Sequence, residues 1–107
     1  MPTLFPVTKE QFFSSLESDD ATPPADASKQ AQALWLVEKG KWHEAHELCN
    51  EISGPAGSWI HAYLHRVEGD LGNASYWYSR AGRETPPASV SLRSEWMNLV
   101  SELVGQD

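Results

Sequence analysis

Apolar residues recur at helical spacing along most of this chain, and turn residues cut the pattern into short pieces. Phe12, Phe13 and Leu16 share one side of a predicted helix over residues 9–17. Ahead of them, Thr8-Lys9-Glu10-Gln11 has the form of a capping box, in which Thr8 and Gln11 satisfy each other's amides. The stretch from Asp19 to Asp26 contains Pro23-Pro24, which removes donors and forces the preceding residue out of the helical region, so it reads as a linker. A second helix is predicted over 27–39, with Ala33, Leu34, Leu36 and Val37 on its apolar side and Gly40 at the turn. A third runs over 42–52, with Ala45, Leu48, Cys49 and Ile52 on one face, and Ser53-Gly54-Pro55-Ala56-Gly57 ends it. The fourth is predicted over 58–68 with Ser58 as its cap, and the fifth over 70–81 with Asp70 as its cap. After Gly82 and Pro86-Pro87, a last helix over 88–104 carries Val90, Leu92, Trp96, Leu99, Val100 and Leu103 as a broad apolar stripe that caps the rest.

The second and third helices repeat in the fourth and fifth. Ala33 and Ala62, Gly40 and Gly69, Ala45 and Ala74, Cys49 and Tyr78, and Ile52 and Ala81 are each 29 residues apart. A constant period between roughly 20 and 50 residues marks stacked supersecondary units, none of which buries its apolar face alone. The expected fold is therefore all-α. Residues 1–107 form one domain, with an arm and linker over 1–26, a first helical hairpin over 27–55, a second over 56–87 and a capping helix over 88–107.

The small residues at these places give the pattern a family likeness. Ala62, Gly69, Ala74, Tyr78, Ala81 and Pro86 resemble the positions that define a tetratricopeptide repeat, with Ala33, Gly40, Ala45, Cys49 and Ile52 standing for them in the first copy. The resemblance implies two antiparallel helical hairpins whose alanines allow close helix approach, and a peptide- or protein-binding role. The family period is about 34 residues, so 29 implies a shortened connection between the copies. The segment from His61 to Asp70, with Asn73-Ala74 and Tyr76 to Arg83, is also similar to a group of small uncharacterised microbial proteins. That likeness carries a fold expectation and no activity.

Composition narrows the function classes. Fifteen Asp and Glu against eight Lys and Arg give a formal charge of −7, which repels phosphate backbones and anionic lipid. Nucleic acid and membrane surfaces are poor partners for it. No apolar run approaches the roughly 18 residues of a membrane span, and no basic-then-apolar leader opens the sequence. With Cys49 as the single cysteine, these features make the cytoplasm the expected location.

Two side-chain constellations carry the chemistry. Trp59, Tyr63 and Arg66, spaced four and three apart, offer an aromatic pair beside a guanidinium on the face that such stacks turn toward their groove. Tyr76, Arg80 and Arg83 add a second aromatic–cation set suited to an anion or acidic peptide. The alternatives are packing of Trp59 under the N-terminal arm and a purely structural stacking of Arg80 on Tyr76. The four histidines form two helical pairs, His43 with His46 and His61 with His65, and Glu47 lies beside the first. Imidazoles with a carboxylate suit a divalent metal such as Zn, Fe or Mn, which can activate water for hydrolysis. The competing role for His61 and His65 is packing with satisfied hydrogen bonds.

The leading expectation is thus a non-catalytic helical-repeat protein that binds a peptide or partner protein and needs no cofactor. Its alternative is a small helical metalloprotein or metal-dependent hydrolase using His43, His46, Glu47, His61 and His65. An apolar arm at Leu4, Phe5, Phe12 and Phe13 offers a route to self-association.

Overall fold

A computed structural model describes residues 7–105, and in it the protein is all-α. Among the described residues six helices follow one another: α1 (Lys9–Leu16), α2 (Lys29–Glu38), α3 (Trp42–Cys49), α4 (Gly54–Glu68), α5 (Leu71–Arg80) and α6 (Leu92–Leu103). Thr8 makes the expected capping box, accepting from the Gln11 amide at 3.1 Å while its own amide donates to Gln11 Oε1 at 2.9 Å. Ser28, Asp70 and Ser91 accept from amides in the first turns of α2, α5 and α6. Each removes one donor that the helix itself leaves without a partner.

Several boundaries differ from the expectation: α2 starts at Lys29 instead of 27, and α3 ends at Cys49 instead of 52. α4 begins at Gly54 instead of Ser58, with Ser53 in the cap position and Pro55 in the first turn. Proline breaks a helix interior but costs nothing in a first turn, where its missing amide has no intrahelical acceptor. Gly57 lies inside this turn because the chain folds back on it: a Cβ there would sit 2.0 Å from the Ile52 carbonyl oxygen. α6 begins at Leu92, not 88, and residues 82–91 form a connection with no helix of their own.

Consecutive helices pair, α2 with α3 and α4 with α5, and α3 also packs on α4. Gly69 makes the tight α4–α5 turn possible, since its φ of +87° lies in the left-handed region that residues with a Cβ avoid. Ala33, Ala45, Ala62 and Ala74 are all buried, so backbones at these points come close without a side chain to hold them apart. α6 lies against both α2 and α4. Trp96 of α6 is buried and donates its indole N–H to the Leu34 carbonyl at 3.1 Å.

The N-terminal segment belongs to the same core. Phe12 is fully buried, and Phe13 packs edge-on against both Phe12 and Trp96. Trp35 donates to the Ser15 hydroxyl, and Lys39 and Lys41 donate to the carbonyls of Ser18 and Ala21. Phe12 and Phe13 are thus engaged within the chain, and Leu4 and Phe5 lie outside the described residues. Among the described residues, no helix is long and apolar enough to cross a membrane.

Candidate functional site

The packing of α3 on α4 brings three histidines together. His46 comes from α3, and His61 and His65 come from successive turns of α4. Nε2 of His46 lies 3.0 Å from Nε2 of His61. The His46 and His61 rings meet edge to face at 4.6 Å, His46 and His65 at 5.2 Å, and His61 and His65 stack at 5.5 Å. One ligand nitrogen from each lies within 4.8 Å of the other two. Zn–N bonds of about 2.0–2.1 Å in a tetrahedron would separate the nitrogens by roughly 3.3 Å.

Two tryptophans wall the cluster. The Trp42 ring stacks on His46 at 4.8 Å, and its N–H is fixed to the Leu64 carbonyl at 2.7 Å. Trp77 of α5 stacks on His61 at 4.0 Å with the planes 5° apart. His61 and His65 are buried, whereas His46 is partly open to solvent. The site is therefore walled by packed rings, and His46 is its partly exposed member.

Burial, then the neighbouring His46 and His65, push the His61 imidazole down to about 4. Burial, then His65, also lowers His46. Both rings are therefore neutral at pH 7 and carry a lone pair, the state in which imidazole binds a metal. His65 Nδ1 is hydrogen-bonded to Glu68 Oε1 at 2.7 Å. Asp70, whose side chain also caps α5, has a carboxylate oxygen within 4.8 Å of the ligand atoms of His65 and Glu68.

The other two residues of the predicted metal set stay outside the triad. His43 is exposed and packs edge-on against Trp42 at 5.2 Å, and Glu47 is exposed on α3. Glu47 follows His46 by one residue and so points away from it, while His43 lies exposed in the first turn of α3.

The predicted binding set divides in two. Trp59 and Tyr63 are buried under α6 and not open to a groove. The covering element is Glu95, whose buried carboxylate accepts from Arg66 at 2.8 Å, from Trp59 Nε1 at 3.1 Å and from the Tyr78 hydroxyl at 2.6 Å. Arg66 also donates to the Val90 carbonyl. Arg83 lies over the Trp59 ring at 3.5 Å, so among the described residues Glu95 of α6 and Arg83 cover Trp59. Tyr76 and Arg80 are exposed on α5, where Arg80 donates to the Tyr76 hydroxyl at 3.1 Å and lies over the Trp77 ring at 5.3 Å. A separate cavity of about 330 Å³ opens between α5 and the 82–91 connection, with Leu71, Tyr78, Pro86 and Leu92 in its lining.

Glu68, Trp42, Trp77 and Glu95 are the participants that sequence reasoning passed over. Glu68 had a signal, its three-residue spacing from His65 on a helix. Trp42 and Trp77 had none beyond aromaticity, and Glu95 contacts Trp59 across 36 residues, a distance that periodicity does not encode. No family model, curated protein or solved structure matches this chain.

Proposed function

We propose that this protein binds one divalent transition-metal ion between its two helix pairs, with His46, His61 and His65 as ligands. The observation that carries the reading is the convergence of three imidazole nitrogens within 4.8 Å, contributed by both pairs. Neutral imidazoles without a thiolate suit Zn, Cu or Ni over Mg, Ca or Mn. Three protein ligands leave a coordination position for water or an exogenous ligand, an arrangement that open metal sites share. Because α3 and α4 belong to different helix pairs, the ion would also tie the two pairs together. The pairing of α2 with α3 and α4 with α5, with buried alanines at the repeat positions, supports a tetratricopeptide-like description of the scaffold.

Calorimetric titration of the chelator-treated protein with zinc chloride tests this. Wild type takes up one ion per chain and its unfolding temperature rises, whereas His61→Ala and His65→Ala each lose both responses. Wild type that takes up no zinc, copper or nickel contradicts the reading.

A second reading, non-catalytic binding of a peptide or partner protein, is supported by a different surface from the Trp59 face. Leu71 and Leu92 are exposed at the cavity beside Tyr78, and 330 Å³ accommodates an apolar side chain with its flanking backbone. Leu71→Asp and Leu92→Asp should then abolish co-purification of a partner while leaving zinc uptake intact. Unchanged co-purification removes this surface from consideration.

A further inference from the structure

We infer that Glu68 is the positioning residue of the three-histidine site, which makes His65 the strongest of its ligands. The inference rests on the metal-binding reading and adds a role that none of the ligands has.

An imidazole binds a metal through one nitrogen, and the group on the other nitrogen decides which tautomer is present and how basic the ligand is. Glu68 Oε1 holds His65 Nδ1 at 2.7 Å. With Nδ1–H donating to that carboxylate, a neutral ring keeps its lone pair on Nε2, the one nitrogen left to bind an ion. Among the described residues, His65 is the only one of the three whose ring bonds a carboxylate. The bond also fixes the ring about its last torsion, so less rotational freedom is lost when an ion enters. A dication held by three neutral rings keeps its full charge, and Glu68 supplies a negative charge one imidazole away.

The position of Glu68 on its helix points the same way. Glu68 is the last residue of α4, directly before Gly69. Helix C-termini carry partial negative charge, and a carboxylate in the last turn is repelled by it. Local preference therefore favours a cation here, as Arg66 in the same turn illustrates. A residue that goes against its local environment yet grips a buried imidazole is what a functional constraint produces.

The test compares wild type with E68Q, E68A and E68D. Gln keeps the size and an acceptor oxygen but removes the charge, Ala removes the bond, and Asp restores the charge on a shorter arm. Zinc affinity is read by competition with a chromophoric chelator, the visible spectrum of the cobalt-loaded protein reports ligand basicity, and the unfolding temperature is taken without metal. Wild type binds zinc, E68Q and E68A bind about 10–100-fold more weakly, and E68D recovers part of the loss. The cobalt bands shift in E68Q while the metal-free unfolding temperature does not. Equal zinc affinity and an unshifted cobalt spectrum in E68Q overturn the assignment of Glu68 and leave the metal site standing. An affinity loss matched by an equal loss of metal-free stability, with E68D no better than E68A, also overturns it. Failure of wild type to bind any of these ions overturns both readings.

Discussion

Nε2 of His46 and Nε2 of His61 face each other across 3.0 Å, one from each helix pair of the protein. Two imidazole nitrogens at this separation share something, either a proton on one of them or an ion between them. His65 stands next to both, and burial together with mutual repulsion keeps His61 unprotonated at neutral pH. The energetic consequence is visible even without metal.

Acidification should destabilise the metal-free protein. The folded state holds the His61 proton off down to about pH 4, while the unfolded chain takes one up near the ordinary 6.5. Between these values the unfolded state binds more protons, so stability rises with pH and is lost as pH falls. The expected loss between pH 7 and 5 is on the order of 1–2 kcal/mol after allowance for solvent screening. Urea midpoints at the two pH values measure it, and His61→Gln should flatten the slope. A midpoint that holds steady or rises on acidification is inconsistent with the account.

Removing Arg66 should cost far more than removing a surface arginine. Its guanidinium pairs with the buried Glu95 at 2.8 Å, and Trp59 and Tyr78 complete the set of donors. Arg66→Ala strands that carboxylate beneath α6 and is expected to cost about 3–5 kcal/mol. Arg93→Ala, which breaks an exposed pair with Glu38, should cost less than about 1 kcal/mol. Chemical denaturation of both variants gives the comparison, and equal losses would show that Glu95 is not buried as described.

The fold was legible where short-range patterning decides it. Thr8 and Gln11 announced their capping box, and apolar residues at helical spacing announced an all-α chain. The start of α4 was not, because Ser53-Gly54-Pro55 reads as a breaker unless one sees that Pro55 occupies a first turn. For the site, the spacing of His61 and His65 was visible and so was His46. Glu68 was readable from its three-residue spacing to His65, whereas the recruitment of Trp77 and the exposure of His43 and Glu47 follow from how α5 and α3 pack on α4. The same holds for Trp59, Tyr63 and Arg66. Their i, i+4, i+7 stripe reads in the sequence as a groove face, but Trp59 and Tyr63 are buried and Glu95 of α6 bonds Trp59 and Arg66.

Gly57→Ala should be one of the costliest single-methyl additions in this protein. The added Cβ meets the Ile52 carbonyl oxygen at 2.0 Å, a backbone atom that cannot rotate away. The start of α4 must then shift, with a loss of more than about 2 kcal/mol. Gly72→Ala meets no atom within 4 Å and serves as the control, expected to be neutral or stabilising. Thermal unfolding of the pair checks this, and a Gly57→Ala variant as stable as wild type would contradict the chain reversal before α4.

Cys49 should be inert while the protein is folded. It is buried between the helices and burial pushes its thiol up to about 12. Little thiolate exists at pH 8, so iodoacetamide should label the native protein at least an order of magnitude more slowly than the urea-unfolded chain. Equal rates would place Cys49 at the surface.

X-ray absorption of the zinc-loaded protein addresses the ligand set itself. Three imidazoles at about 2.0–2.1 Å, with their outer-ring scattering and one further oxygen or nitrogen, are predicted, and His46→Ala should remove one imidazole from the fit. A shell of oxygens without imidazole scattering, or a spectrum that His46→Ala leaves unchanged, would mean that the three histidines are packed side chains and that the ion binds elsewhere.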